Sequence, residues 1–218
     1  MFSFPVCHFS SSISLDLLSV DAHSYKVYRH SGQTSTIDAS FSTPTTSPQG
    51  IVMAGDDLIS SDNGSNKIYV HSGFTSTISS SFTAPSSDVR GLAYDGANLI
   101  SCDADADKIY VHSGVSATIS SSFSSASTGT LDITYDGSNL ISCDADSLKI
   151  YVHSGTTSTI TTSFASPAST PTGVSVIGGD LISADAGAEK IYIHSGITST
   201  VSISFSSPST FPAGLASI

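Results

Sequence analysis

One period governs this chain. Lys26, Lys67, Lys108, Lys149 and Lys190 stand 41 residues apart, and each is followed two positions on by a tyrosine: Tyr28, Tyr69, Tyr110, Tyr151 and Tyr192. A His-Ser-Gly tripeptide comes next in every copy, opening at His30, His71, His112, His153 and His194. A fixed repeat of this length means one supersecondary unit used again and again, each too small to bury its apolar face except against its neighbours.

The unit from Gly91 to Leu131 divides at turn signals into four short segments of apolar and β-prone residues. Gly91–Tyr94 is closed by Asp95-Gly96, and Asn98–Cys102 ends at Asp103; Lys108–His112 is closed by Ser113-Gly114, and Thr118–Phe123 completes the set. No segment has the 3.6-residue apolar spacing of a helix, which excludes a helical solenoid, and a β-helix would need a much shorter coil. Four strands per unit predict an all-β, five-bladed β-propeller with four antiparallel strands per blade. Blades pack face against face, so adjacent apolar pairs such as Leu58-Ile59 and Leu181-Ile182 fit an inner strand buried on both sides. On the outer strand Ile78 and Phe82 should point inward, Thr77 and Ser81 outward.

Five units of 41 leave 13 of the 218 residues over. Two segments compete for the innermost position of the first blade: Phe9–Ile13 and the C-terminal Gly214–Ile218, which keeps the Gly-Leu-Ala pattern. The C-terminal segment is expected to take it and to clasp the ring shut, leaving no open edge at the axis. The propeller then runs over 13–218, and 1–12 becomes an uncharged apolar arm carrying Phe2, Phe4 and Phe9. Such an arm either seeks a partner or lies along the first or last blade.

Composition removes some functions. The net charge is −11 with only seven Lys and Arg, whereas nucleic acid and anionic membranes need clustered cations, so neither is an expected partner. Cys7, Cys102 and Cys143 are too few for a disulfide framework. No run approaches a membrane span, and Met1–Ser12 lacks the positive start of a secretory signal; a virion, or export by another route, fits that pattern.

The stretch Arg90-Gly91-Leu92-Ala93-Tyr94-Asp95-Gly96, continuing through Asp103 to Lys108-Ile109-Tyr110-Val111, resembles the NHL and YncE-like propeller repeats. That resemblance implies a blade type and no particular activity. The Ser/Thr-rich, near-identical units are also similar to repeats of bacteriophage and environmental bacterial proteins. The five-fold layout is similar to the tachylectin type of sugar-binding propeller.

Each unit holds a Ser, an Asp and a His, such as Ser101, Asp103 and His112. A hydrolase triad is one strained arrangement, so five copies point to scaffolding. The column Asp21, Asp62, Asp103, Asp144 and Asp185 is expected to cap the turn after the second strand through Asx-type bonds, with the lysine five residues on opposite it in an exposed ion pair. The histidines should bridge loops, beside a buried tyrosine column. Asp103, Asp105 and Asp107, with Asp144 and Asp146, form the densest acidic feature. Lys108 and Gly114 occupy positions where a calcium loop needs Gly and Glu, so they are candidate binding residues in a solvated turn, with no metal or cofactor expected. Cys102 and Cys143 share a column with Val20, Ser61 and Ala184 and are read as packing residues.

The turns between second and third strands and the linkers between blades vary most from copy to copy. Both sets should project from one end of the ring and carry whatever surface is specific to this protein. The expected function is a non-enzymatic interaction or structural module in a larger assembly, such as a phage virion or surface appendage, with a protein partner reached through the arm. The alternatives are a multivalent glycan-binding propeller and an enzyme with its site at the central channel.

Overall fold

The computed structural model describes residues 15–218; the arm with Phe2, Phe4 and Phe9 lies outside the described residues. Twenty strands form five four-stranded antiparallel sheets. Blade one contains β1 (Leu17–Asp21), β2 (Lys26–His30) and β3 (Ile37–Ser42). Blade two is β4 (Pro48–Ala54), β5 (Asp57–Asp62), β6 (Lys67–His71) and β7 (Ile78–Thr83). Blade three is β8 (Val89–Tyr94), β9 (Leu99–Asp103), β10 (Lys108–His112) and β11 (Ile119–Ser124). Blade four is β12 (Thr130–Tyr135), β13 (Leu140–Asp144), β14 (Lys149–His153) and β15 (Ile160–Ala165). Blade five is β16 (Pro171–Ile177), β17 (Asp180–Asp185), β18 (Lys190–His194) and β19 (Val201–Ser206). The last strand, β20 (Pro212–Ser217), pairs antiparallel with β1 and completes blade one, as the Gly-Leu-Ala pattern predicts.

The innermost strands β20, β4, β8, β12 and β16 touch in a closed five-membered ring. The Leu-Ile pairs explain how the blades cohere. Leu99 packs into the junction between blades two and three, and its neighbour Ile100 into the junction between three and four. The same division holds for Leu58 and Ile59, Leu140 and Ile141, Leu181 and Ile182, and Leu17 and Leu18. Successive strand residues face opposite ways, so one buried dipeptide holds two interfaces. Each fully buried Leu or Ile contributes about 1.5–3 kcal/mol.

The first strand begins earlier than the turn signals suggest, at Val89 instead of Gly91, because a β-bulge interrupts its pairing with β9 between Val89 and Leu92. Every innermost strand has such an irregularity near its start. The outer strand alternates as expected: Ile78 and Phe82 are half-buried, Thr77 and Ser81 exposed.

Candidate functional site

The aspartate column sits where strand two ends, and each carboxylate is divided between two tasks. In Asp103, Oδ1 accepts the amide of Ala106 (2.8 Å) in its own turn and Oδ2 the amide of Asp88 (2.9 Å) in the preceding linker. Asp185 does the same with Ala188 (2.7 Å) and Thr170 (2.6 Å), and Asp144 with Ser147 (2.7 Å) and Gly129 (3.0 Å). Asp62 takes Ser65 (2.7 Å) and Ser47 (3.0 Å); Asp21 takes Ser24 (2.6 Å) and Phe211 (2.8 Å). The predicted cap is present, and it also staples turn to linker, which puts both variable loop sets at one end of the ring.

Two expectations about neighbouring columns need correction. Lys108 lies opposite Asp103 in the ladder, yet no lysine–aspartate ion pair forms among the described residues; the ion pairs are Arg29 with Asp16 (3.9 Å) and Arg90 with Asp88 (2.8 Å). The aspartates are buried and spent on amides, while the lysines stay in water. The tyrosine column is half-buried rather than buried, and two of its hydroxyls meet loop serines, Tyr28 with Ser24 (3.0 Å) and Tyr69 with Ser65 (3.1 Å).

The acidic cluster disperses. Asp103 is buried as a cap, Asp105 is exposed and accepts Ser87 Oγ (3.2 Å), and Asp107 takes the left-handed backbone conformation (φ 50°) that ends the turn. Asp144 caps its own turn and Asp146 accepts Thr128 Oγ1 (2.8 Å). No group of three potential metal ligands gathers among the described residues.

Each histidine of the His-Ser-Gly column is fully buried and bonded on both ring nitrogens. His112 Nδ1 lies 2.6 Å from the carbonyl of Ser116 and Nε2 lies 2.9 Å from Ser101 Oγ. A carbonyl only accepts, so Nδ1 carries the proton and Nε2 accepts the serine hydroxyl. The same bracket recurs at His30, His71, His153 and His194. It joins strand two to the loop after strand three, and Asp103 takes no part. Burial pushes all five histidines below their ordinary pKa, with the carbonyl bonds pulling partly back. Both members of each Ser-His pair are shut from solvent, so the pairs are internal clamps.

At the axis the sequence reading missed the decisive residue. The column Gly50, Gly91, Asp132, Gly173 and Gly214 is glycine in four blades. A Cβ on Gly50 would lie 2.6 Å from the Arg90 carbonyl oxygen, and one on Gly214 2.6 Å from that of Gln49. Innermost strands therefore meet backbone against backbone. Asp132 is completely buried; its Oδ2 accepts the amides of Val174 (2.8 Å) and Leu215 (3.3 Å). Burial raises its carboxyl well above the usual range, opposed by the amides of Val174, Ile133, Leu215 and Leu92. The signal was available as one exception within an otherwise invariant column. Cys102 and Cys143 lie buried beside this ring, as their small-residue column implied; burial, then the nearby Asp132 carboxyl, pushes both thiols up. Cys102 Sγ accepts the Gly91 amide (3.2 Å).

Beyond the glycine ring, toward the turns joining first and second strands, the axis widens into a cavity of about 100 Å³. Leu92 and Leu215 line it together with Met53, Tyr94, Tyr135, Ser175 and Ser217. Met53, Tyr94, Tyr135, Val176 and Ser217 fall in one repeat column, so four kinds of side chain, with tyrosine twice, break the five-fold symmetry of the scaffold there. At the opposite end, Arg90 donates to Gln49 Oε1 (3.0 Å) and Asp88 Oδ2 (2.8 Å), while Asn63 donates to Asp88 Oδ1 (2.8 Å). That network belongs to blades two and three alone and was also missed.

No family model and no curated protein matches the chain. Among solved structures it is similar to the glutaminyl cyclase of Myxococcus xanthus, with a TM-score of 0.62 and 14% identity over 78% of this chain and 69% of that one. At that identity the likeness speaks for the propeller fold.

Proposed function

We propose that this propeller is a non-catalytic interaction module that receives a small uncharged group of its ligand in the axial cavity. The observation that carries this reading is the cavity's lining: Tyr94, Tyr135, Ser175 and Ser217 beside Met53 and Leu92, with no acidic, basic or histidine residue among the described residues that line it. Such a lining offers hydrogen bonds and apolar contact, and it has no acid–base pair to move a proton at neutral pH. Neither the buried Ser-His pairs nor Asp132 is among the residues that line the cavity, which weighs against a catalytic axis. A place in a larger assembly such as a virion or surface appendage, with the arm 1–12 as attachment, accords with the low charge. The blade type is kin to NHL and YncE-like repeats.

NMR mapping with a panel of neutral polyols, amides and short uncharged peptides tests the site. Perturbations centred on Tyr94 and Tyr135, abolished by Ser217→Trp with the fold intact, are expected. Shifts confined to the Asp105 and Asp146 turns, or chemical turnover of a probe, would overturn it. A second reading, glycan binding at the blade junctions, draws on the half-buried tyrosine column; five equivalent perturbations around Tyr28, Tyr69, Tyr110, Tyr151 and Tyr192 would favour it.

A further inference from the structure

An innermost strand has a ladder partner on one edge only, so alternate amides on its other edge face the axis. Where glycine precedes such an amide there is no side chain to screen it. Asp132 fills the space these amides enclose: Val174 of blade five and Leu215 of blade one donate to Oδ2, and burial raises the carboxyl pKa while these amides and those of Ile133 and Leu92 pull it partly back. Its side chain is 0% exposed, no cation pairs with it among the described residues, and Oδ1 keeps no hydrogen bond of its own.

We propose that the sealed part of the axis is a receptor for one small carboxylate, built from main-chain amides of several blades, and that Asp132 is its tethered occupant. Amides converging on one point offer a carboxyl group hydrogen bonds without any basic side chain, and they offset part of the cost that burial imposes on its charged form. The occupant binds β16 and the closing strand β20 to β12, so it clasps the ring at its seam. Beyond Cα, Asp132 consists of the atoms of acetate, and Asp132→Gly, which restores the residue of the other four blades, leaves an acetate-shaped vacancy.

The test compares wild type and Asp132→Gly, each unfolded in urea and refolded in sodium acetate or in sodium chloride of equal ionic strength. The variant should have a lower urea midpoint in chloride, rising saturably with acetate, while wild type responds equally to both salts. Labelled acetate should give a bound carbon resonance with the variant alone. If Asp132→Gly does not fold in chloride, folding restored by acetate is the expected result, and Asp132→Ala repeats the comparison. Equal midpoints of variant and wild type in chloride, or the same acetate response from both, would overturn the proposal.

Discussion

At a blade junction Leu99 and Ile100 meet other side chains; at the axis Gly50 and Gly91 meet main chain. The junction columns accept Val, Ile, Leu, Cys, Ser and Ala from copy to copy, because neighbouring side chains can shift rotamer to refill space. The axial column accepts glycine and a single aspartate, because carbonyl oxygens and α-carbons cannot move aside without opening the ring. Sequence tolerance in this molecule is thus set by what a residue touches, more than by how deeply it is buried.

The largest effect should come from adding one methyl group to the axis. Gly91→Ala would drive a Cβ into the Asp132 backbone and carboxylate, and should cost more than about 4 kcal/mol or abolish folding. Gly173→Ala meets side-chain atoms first, Leu215 Cγ at 3.0 Å and Ala184 Cβ at 3.2 Å, and should cost about 1–2 kcal/mol. Urea denaturation of the two variants measures the contrast, and equal losses would erase the distinction drawn above.

Acid should act next, and through the junctions. The five buried histidines of the repeat column have folded pKa values below that of an unfolded histidine, near 6.5, so the unfolded chain takes up protons first as pH falls. Their stabilising contribution is complete above about pH 6.5 and declines below it, with a ceiling of about 1.4 kcal/mol per pH unit for each histidine, until the folded form protonates as well. Asp132, displaced upward, works in the opposite sense and offsets part of the loss. Denaturation midpoints between pH 8 and 5, with NMR titration of the five buried imidazoles, check this; any of those five titrating at or above 6.5 would contradict it.

The smallest contrast lies in the turns. Asp103→Ala frees the amides of Ala106 and Asp88 at once and should cost about 1–3 kcal/mol. Lys108→Ala removes an exposed charge with no ion-pair partner and should change stability by less than about 0.5 kcal/mol. Comparable losses from the two would revive the ion pair that the sequence suggested.

Much of this was legible beforehand because tandem copies annotate one another. The strand count, the aspartate caps, the small-residue column at Cys102 and the fit of Gly214–Ile218 to the first-strand pattern all follow from aligning one unit with the next. Local pattern could not show that the Asp103 carboxylate is consumed by amides on two loops, which leaves Lys108 unpaired, or that the Tyr110 ring is only half covered. The acidic run from Asp103 to Asp107 looked like a cluster because its members are close in sequence, but the turn sends them in different directions.

The chain by itself determined the repeat, the blade and the number of blades, since these rest on periodicity and turn chemistry that act within about forty residues. Only the tertiary structure decided what happens at the axis. Gly50, Gly91, Asp132, Gly173 and Gly214 are far apart along the chain and meet only once five sheets have closed, so their contacts and the burial of Asp132 depend on geometry that no single unit contains.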